Sequence, residues 1–378
     1  MAGLYIHIPF CSSKCNYCNF FSVRMPSKIG EVTTAIEKEL VERRDYLSEP
    51  LNTIYFGGGT PSLLSIAQIN GLLDTISKNY IINDRPEITL EANPDDINAV
   101  QLDGWKEAGI NRLSIGFQSS HDEVLKYLSR RHNAENGINA IKLAKEKGFE
   151  NISGDLIFGI PNQTTDMIIE SASTLINLGV DHISAYALTV ESKTALEYMI
   201  RSGKVTTPDD ESAYNHFHAL RAFLMAKGYE HYEVSNYALP GRHSRHNSAY
   251  WKGSPYLGVG PSAHSYNKTH RHWNIASISG YLEQSQHQFS PEGEVLSEID
   301  QCNEWLMTGL RTSDGIDISD GLRFGDYIYQ QIVQNAELAE VRAHLNKEQN
   351  HWTIKQESLF LSDGIISCLM VESNERRD

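Results

Sequence analysis

Short apolar runs rich in β-branched and aromatic residues alternate with longer stretches of helical periodicity through the first two hundred residues. Residues 4–8 (Leu-Tyr-Ile-His-Ile) read as a strand, and 32–46 then carries Glu, Lys and Arg at helical spacing. The pattern recurs as strand 53–56 before helix 65–79, strand 87–91 before helix 97–107, and strand 112–116 before helices 122–129 and 134–147. Strand 151–158 leads to helix 165–178, and strand 182–186 to helix 195–202. Six strand–helix units, with helices long enough for parallel crossovers, predict an α/β fold with a parallel sheet covered by helices. Because six units fall short of a closed (β/α)8 barrel, the expected architecture is an open partial (β/α)6 barrel. A doubly wound sheet is the competing arrangement.

The pattern changes after about residue 205. A helix is expected at 209–227, whereas 229–293 reads as irregular and rich in aromatics, His, Gly and Ser. Helical segments return at 304–310, 325–334 and 338–345, followed by two short strands at 352–355 and 358–361 and a helix at 363–369. This predicts a barrel over 1–230, an irregular connecting segment over 231–298, and a small helical, winged-helix-like C-terminal domain over 299–378.

Composition narrows the function. The 378 residues carry 33 basic against 48 acidic side chains, a net charge of −15 that disfavours nucleic acid and anionic lipid as partners. The early apolar stretch at 4–10 is too short for a membrane span and lacks a basic leader. Five cysteines, three of them within eight residues, argue against a disulfide framework and for a reducing cytoplasm.

Those three cysteines, Cys11-Ser-Ser-Lys-Cys15-Asn-Tyr-Cys18, follow the first strand, at the sheet edge where parallel α/β folds bind ligands. Thiolates at this spacing suit zinc or an iron–sulfur cluster. Zinc would require a fourth ligand from a second Cys or His pair, and Cys302 and Cys368 stand isolated. Three thiolates on a cubane would leave one iron open. On the residues alone a cluster, a zinc-stabilised α/β protein and incidental cysteines all remain readings. Gly57-Gly-Gly-Thr-Pro61 follows the second strand, where glycines let backbone approach a ligand closely. Glu91, Gln118 and Asp155 place polar groups at or near strand ends, where burial is costly without a partner.

The run Tyr5-Ile-His-Ile-Pro-Phe-Cys11-x3-Cys15-x-Tyr17-Cys18 resembles the cluster loop of radical-SAM proteins in the coproporphyrinogen oxidase-like branch. The resemblance extends over nearly the whole chain, to Leu359-Phe-Leu-Ser-Asp-Gly364. It implies a [4Fe–4S] cluster on Cys11, Cys15 and Cys18, with S-adenosylmethionine on the open iron. Adenosylmethionine contacts are implied at Tyr5, Gly58, Gly59, Thr60, Glu91, Gln118, Arg130, Asp155 and Ala187, with Tyr17 near the adenine. In the oxidase itself, the positions of Gln118, Arg130 and Asp155 contact a second adenosylmethionine.

Two departures point away from the oxidase. Phe20 stands where it has a fourth cysteine, and its long extension before the cluster strand has no counterpart here. Both features are similar to a heme-binding chaperone group of the same fold. So is His246-Asn-Ser-Ala-Tyr250-Trp251, which implies heme contacts at His246, Asn247, Tyr250 and Trp251, with the imidazole as the iron ligand. The implied function is heme carriage to acceptor proteins, membrane-associated ones included. Oxygen-independent coproporphyrinogen III oxidation, or another radical reaction on a tetrapyrrole, is the alternative.

Overall fold

A computed structural model describes residues 2–372. The first half consists of β1 (Ala2–Ile8), α1 (Ile29–Glu42), β2 (Leu51–Gly58), α2 (Ile66–Asn79), β3 (Ile82–Ala92), α3 (Ala99–Glu107), β4 (Arg112–Gln118), α4 (Asp122–Tyr127), α5 (Ala134–Glu146), β5 (Asn151–Phe158), α6 (Thr165–Asn177), β6 (His182–Ala187), α7 (Ala195–Arg201) and α8 (Asp210–Ala226). There follow β7 (Glu230–Glu233), β8 (Asn236–Ala238), α9 (Arg245–Trp251), β9 (Tyr256–Val259), β10 (His264–Tyr266), β11 (His270–Trp273), α10 (Ile278–Gln284) and β12 (Glu292–Val295). The C-terminal part holds α11 (Glu298–Leu310), β13 (Ile316–Asp317), α12 (Asp326–Asn335), α13 (Ala339–Arg342), β14 (Leu345–Glu348), β15 (His351–Ile354) and α14 (Ser362–Leu369).

β1 to β6 pair in chain order, every neighbour parallel. Strand order therefore has no reversal within this half, which removes the doubly wound alternative. The sheet stays open. β8 and β7 continue it antiparallel beyond β6, while β9 lies parallel to β1 on the other side, with β10, β11 and β12 beyond it.

Each barrel strand alternates. Leu4, Ile6, Ile8, Ile54, Phe56, Leu113, Ile115 and Phe117 pack under the helices in the main core. Tyr5, His7, Thr53, Tyr55, Glu91, Arg112, Ser114 and Asp155 take the intervening positions and face the barrel interior. Helix starts are fixed locally: Ser65 accepts from the Gln68 amide in a capping box ahead of α2, and Asn133 accepts from the Asn136 amide ahead of α5.

Two expectations are corrected. The stretch read as irregular, 229–293, holds six strands and two helices. Its strands span only three or four residues, too short to show alternation, and Gly, Ser and Pro separate them. The C-terminal hairpin is β14 with β15, Leu345 opposite Ile354, and residues Gln356–Leu361 form a 3-10 helix rather than a strand. Leu359 and Phe360 are apolar because that turn lays them against the barrel core, with the Phe360 ring 5.4 Å from Phe217. A second core, including Leu306, Ile332, Trp352 and Ile366, belongs to the C-terminal part. Among the described residues no helix is long and apolar enough to cross a membrane.

Candidate functional site

The cysteine loop leaves β1 and is closed at its neck. The Val23 amide donates to Pro9 O (2.8 Å) and the Cys11 amide to Val23 O (3.1 Å). Inside the loop Asn16 donates to Tyr127 O at 2.7 Å and accepts from the Leu196 amide at 2.8 Å, anchoring it across the strand ends. All three thiols are half-buried and free of disulfides, and burial raises the pKa of Cys18. Thr60 donates to Cys11 Sγ at 3.4 Å, and an Arg130 Nη lies 3.5 Å from Cys15 Sγ. Among the described residues no three His, Cys, Asp or Glu side chains are grouped for a single ion. Three thiols on one loop, two of them touched by Thr60 and Arg130, are a soft donor set of the kind that holds iron–sulfur clusters. Phe20 is 61% exposed and Cys368 exposed, while Cys302 is buried in the C-terminal core.

The glycine run packs against β1. Gly58 has φ +108°, and a Cβ there would sit 2.6 Å from His7 Cε1; one on Gly59 would sit 2.6 Å from Phe10 O. These glycines therefore let β2 approach the root of the cysteine loop. His7, which the sequence reading did not single out, holds that root: its Nε2 lies 2.9 Å from Phe21 O and its Nδ1 3.0 Å from Tyr5 Oη.

The interior is strongly polar. Glu91 accepts from Tyr55 Oη (2.8 Å) and the Gly58 amide (3.2 Å), and burial lifts it to about 7 against those bonds. Burial likewise lifts Asp155 to about 6, opposed by Arg112 and by a Ser114 hydroxyl at 3.2 Å. Arg112 is 1% exposed, and its charge acts on Glu91, Asp155, His182 and His246 alike. A basic residue on the same strand face as Ser114 and Gln118 was the available signal for it.

The end of β4 tests whether these residues fit a bound cofactor. Gln118 is forced to φ +65° at a register shift, a left-handed conformation costing a non-glycine residue about 1–3 kcal/mol. Its Oε1 is buried without a hydrogen-bond partner, as is Arg130 Nε. Arg130 reaches Gly116 O at 2.9 Å, and a Cβ on Gly116 would meet its guanidinium. Strained backbone and unpaired buried polar atoms at one strand end suit a polar ligand. Thus the structure gathers the three cysteines, Gly58, Gly59, Thr60, Glu91, Gln118 and Arg130 at the C-terminal ends of the strands. Ala187 ends β6 opposite Phe158, Asp155 and Tyr5 lie deeper, and Tyr17 packs against the small apolar cluster around Leu128 and Ile157 with its hydroxyl beside Cys15 and Arg130.

The His-Asn-x-x-Tyr-Trp motif does not join them. It forms α9, which Glu87 anchors by accepting from the amides of Arg245 (3.1 Å) and His246 (2.9 Å). The His246 ring is buried, stacks on Tyr55 at 4.8 Å, and has Thr53 Oγ1 on Nδ1 (2.7 Å) and Tyr250 Oη on Nε2 (2.9 Å). Burial lowers its pKa to about 3. In this arrangement both ring nitrogens of His246, one an N–H and the other a lone pair, are hydrogen-bonded inside the core. Tyr250 and Trp251 instead border a cavity beside α11, along with His243.

The Radical SAM superfamily profile matches residues 5–175. The heme chaperone HemW of Bacillus subtilis is 36% identical over 84% of this chain and 85% of its own length. HemW of Haemophilus influenzae is 34% identical over 98% of both chains. The Escherichia coli coproporphyrinogen III oxidase HemN superposes with a TM-score of 0.85 at 24% identity, covering 98% of this chain and 90% of that one, a likeness of fold. With relatives this similar along almost its entire length, the chain belongs to the HemW heme-chaperone family of the radical-SAM superfamily.

Proposed function

We propose that this chain carries heme to acceptor proteins in the cytoplasm, membrane-associated acceptors included, and holds a [4Fe–4S] cluster and S-adenosylmethionine as resident cofactors. The observation that carries this reading is the full-length similarity to curated heme chaperones, on a chain whose cysteine loop, glycine run and polar strand ends are all present. Cys11, Cys15 and Cys18 would hold the cluster. Bound there, it supplies an open iron and a reducing electron to the sulfonium of adenosylmethionine.

The chain's own residues do the binding. Gly58, Gly59 and Thr60 offer backbone groups, and Glu91 and Asp155 offer carboxylates whose raised pKa values fall when a cationic ligand replaces lost water. Gln118 and Arg130 offer the unpaired buried atoms, and Tyr5, Tyr17 and Ala187 bound the space. In this reading residues 1–230 hold the cofactors. Heme lies in the 231–298 segment where it meets the 299–378 domain, with Tyr250 and Trp251 beside it and His246 and Asn247 building the helix that presents them.

The test is hemin titration of anaerobically reconstituted protein, followed by Soret absorbance, with iron and sulfide analysis, coproporphyrinogen III turnover and heme transfer to an apo-hemoprotein on the same sample. Saturable binding of one heme, transfer, and no turnover is the expected result. Turnover without heme binding would overturn it, and zinc without iron or sulfide would remove the cluster.

A further inference from the structure

A cavity of about 940 Å3 lies between α9 and α11. Cofactor and small-molecule sites occupy about 300–1,000 Å3. Strands β9 to β11 supply one wall through Tyr256, Tyr266 and Arg271, and α11 with the turns after it supplies the other through Trp305, Arg311 and Arg323. No residue of the cysteine loop or the glycine run lines it, so it is separate from the cofactor end of the barrel.

Two features give this cavity a chemical character. Its walls present flat aromatic rings, among them Tyr250, Trp251, Tyr266, Trp305 and Phe324. Guanidinium groups lie against those rings: Arg311 is 5.8 Å from the Trp251 centroid, Arg271 is 5.9 Å from Tyr266, and Arg323 is 4.6 Å from Phe324 and 5.6 Å from Trp305. A guanidinium against a ring keeps its in-plane N–H groups free to donate to a carboxylate. Arg271 already pairs with Glu304 and Arg311 with Asp363, each with further donors available, while Arg323 makes no ion pair among the described residues. Three arginines on one cavity stand out in a chain of net charge −15 and make a local attractor for an anion. Aromatic walls with arginines at their edges match a large planar ligand carrying carboxylates.

We infer that this cavity seats the heme, its macrocycle against the aromatic walls and its propionates on Arg323, Arg311 and Arg271. The inference rests on the heme-carrier reading and adds the place and the groups that recognise the ligand. It makes the binding site a joint between α9 and the C-terminal part, so the HNxxYW motif acts through Tyr250 and Trp251 and not through its histidine.

The experiment is hemin titration of the full-length, cluster-loaded chain, comparing wild type with Arg323→Gln and with the Arg311→Gln/Arg323→Gln double variant. Hemin dimethyl ester, with both carboxylates capped, is the second probe. Arg323 is exposed, so its replacement leaves folding intact, checked by circular dichroism and iron content. Hemin affinity should fall about tenfold on losing one charge-assisted contact and further in the double variant, with the ester bound equally by all three proteins. Variants that bind hemin like wild type would place heme elsewhere while leaving the carrier reading intact. A cluster-loaded wild type that binds no hemin would overturn the carrier reading, and this inference with it.

Discussion

Thr53 Oγ1 and His246 Nδ1 stand 2.7 Å apart although 193 residues separate them in the chain. The opposite ring nitrogen meets Tyr250 Oη at 2.9 Å, and Tyr55 stacks on the ring face. With its pKa lowered to about 3 by burial, the imidazole is neutral and bridges two hydroxyls, one on β2 and one on α9. His246 is thereby a clamp that seats α9 in the barrel.

Removing that clamp with His246→Ala leaves two buried hydroxyls unpaired and a hole against Tyr55. The cost should be about 2–4 kcal/mol, from a lost core side chain and orphaned polar groups, read as a lower urea midpoint. The Soret maximum of whatever heme binds should not move. His243, half-exposed on the cavity wall with Nε2 on Glu230 at 2.8 Å, should behave in the opposite way: His243→Ala perturbs the Soret band at an unchanged midpoint. A Soret shift confined to His246→Ala would return the ligand role to His246.

Glu91 makes stability pH-dependent, and the sign follows from its raised pKa. Folded near 7 against an ordinary 4.5, it favours the native state fully below about pH 4.5, and that contribution is lost as pH rises through 7. Glu91→Gln, which cannot ionise, should therefore unfold at higher urea than wild type at pH 8, by roughly 2–3 kcal/mol for cofactor-free protein. At pH 5 the difference should nearly vanish. Adenosylmethionine affinity should drop in the same variant. Equal midpoints at both pH values would mean that the carboxylate is not held neutral.

The barrel could be read from the chain because its six strand–helix units are long and each strand borders a helix with clear periodicity. The cysteine loop and glycine run were legible for a related reason: spacing within one segment carries them. What escaped depends on contacts between segments. His7 sits between Tyr5 and the Phe21 carbonyl, and nothing in a single histidine on a strand announces that role. Arg112 gains meaning only once Glu91 and Asp155 share its interior. The surroundings of His246 escaped for the same reason: the motif names its residues but not which face of α9 turns inward, and Glu87, 159 residues earlier, anchors that helix.

Gly58 offers a cleaner test of the cofactor end. Its φ of +108° and the His7 ring 2.6 Å from a would-be Cβ mean that Gly58→Ala both strains the backbone and pushes the side chain that holds the cysteine loop. Backbone strain alone is worth about 1–3 kcal/mol. Gly203→Ala is the matched control, with φ +71° and nothing within 4 Å. Gly58→Ala should lose iron content and adenosylmethionine binding under identical reconstitution, whereas Gly203→Ala should lose only stability. Equal iron in both would sever the link between the glycine run and the loop.

Arg130 brings a buried positive charge to within 3.5 Å of Cys15 Sγ while Gly116 O holds its other nitrogen. A cation beside a cluster ligand stabilises the more negative, reduced state more than the oxidised one, because the attraction scales with the charge it faces. Arg130→Met keeps length and apolar bulk but deletes the charge, so iron and sulfide per chain should stay as in wild type. The midpoint potential should become more negative by tens of millivolts, about 59 mV corresponding to a tenfold change for a one-electron couple. Potentiometric titration followed by electron paramagnetic resonance reads this directly. A purely structural Arg130 would instead lower iron content and leave the potential of the surviving clusters unchanged, and that outcome would assign the residue to loop packing alone.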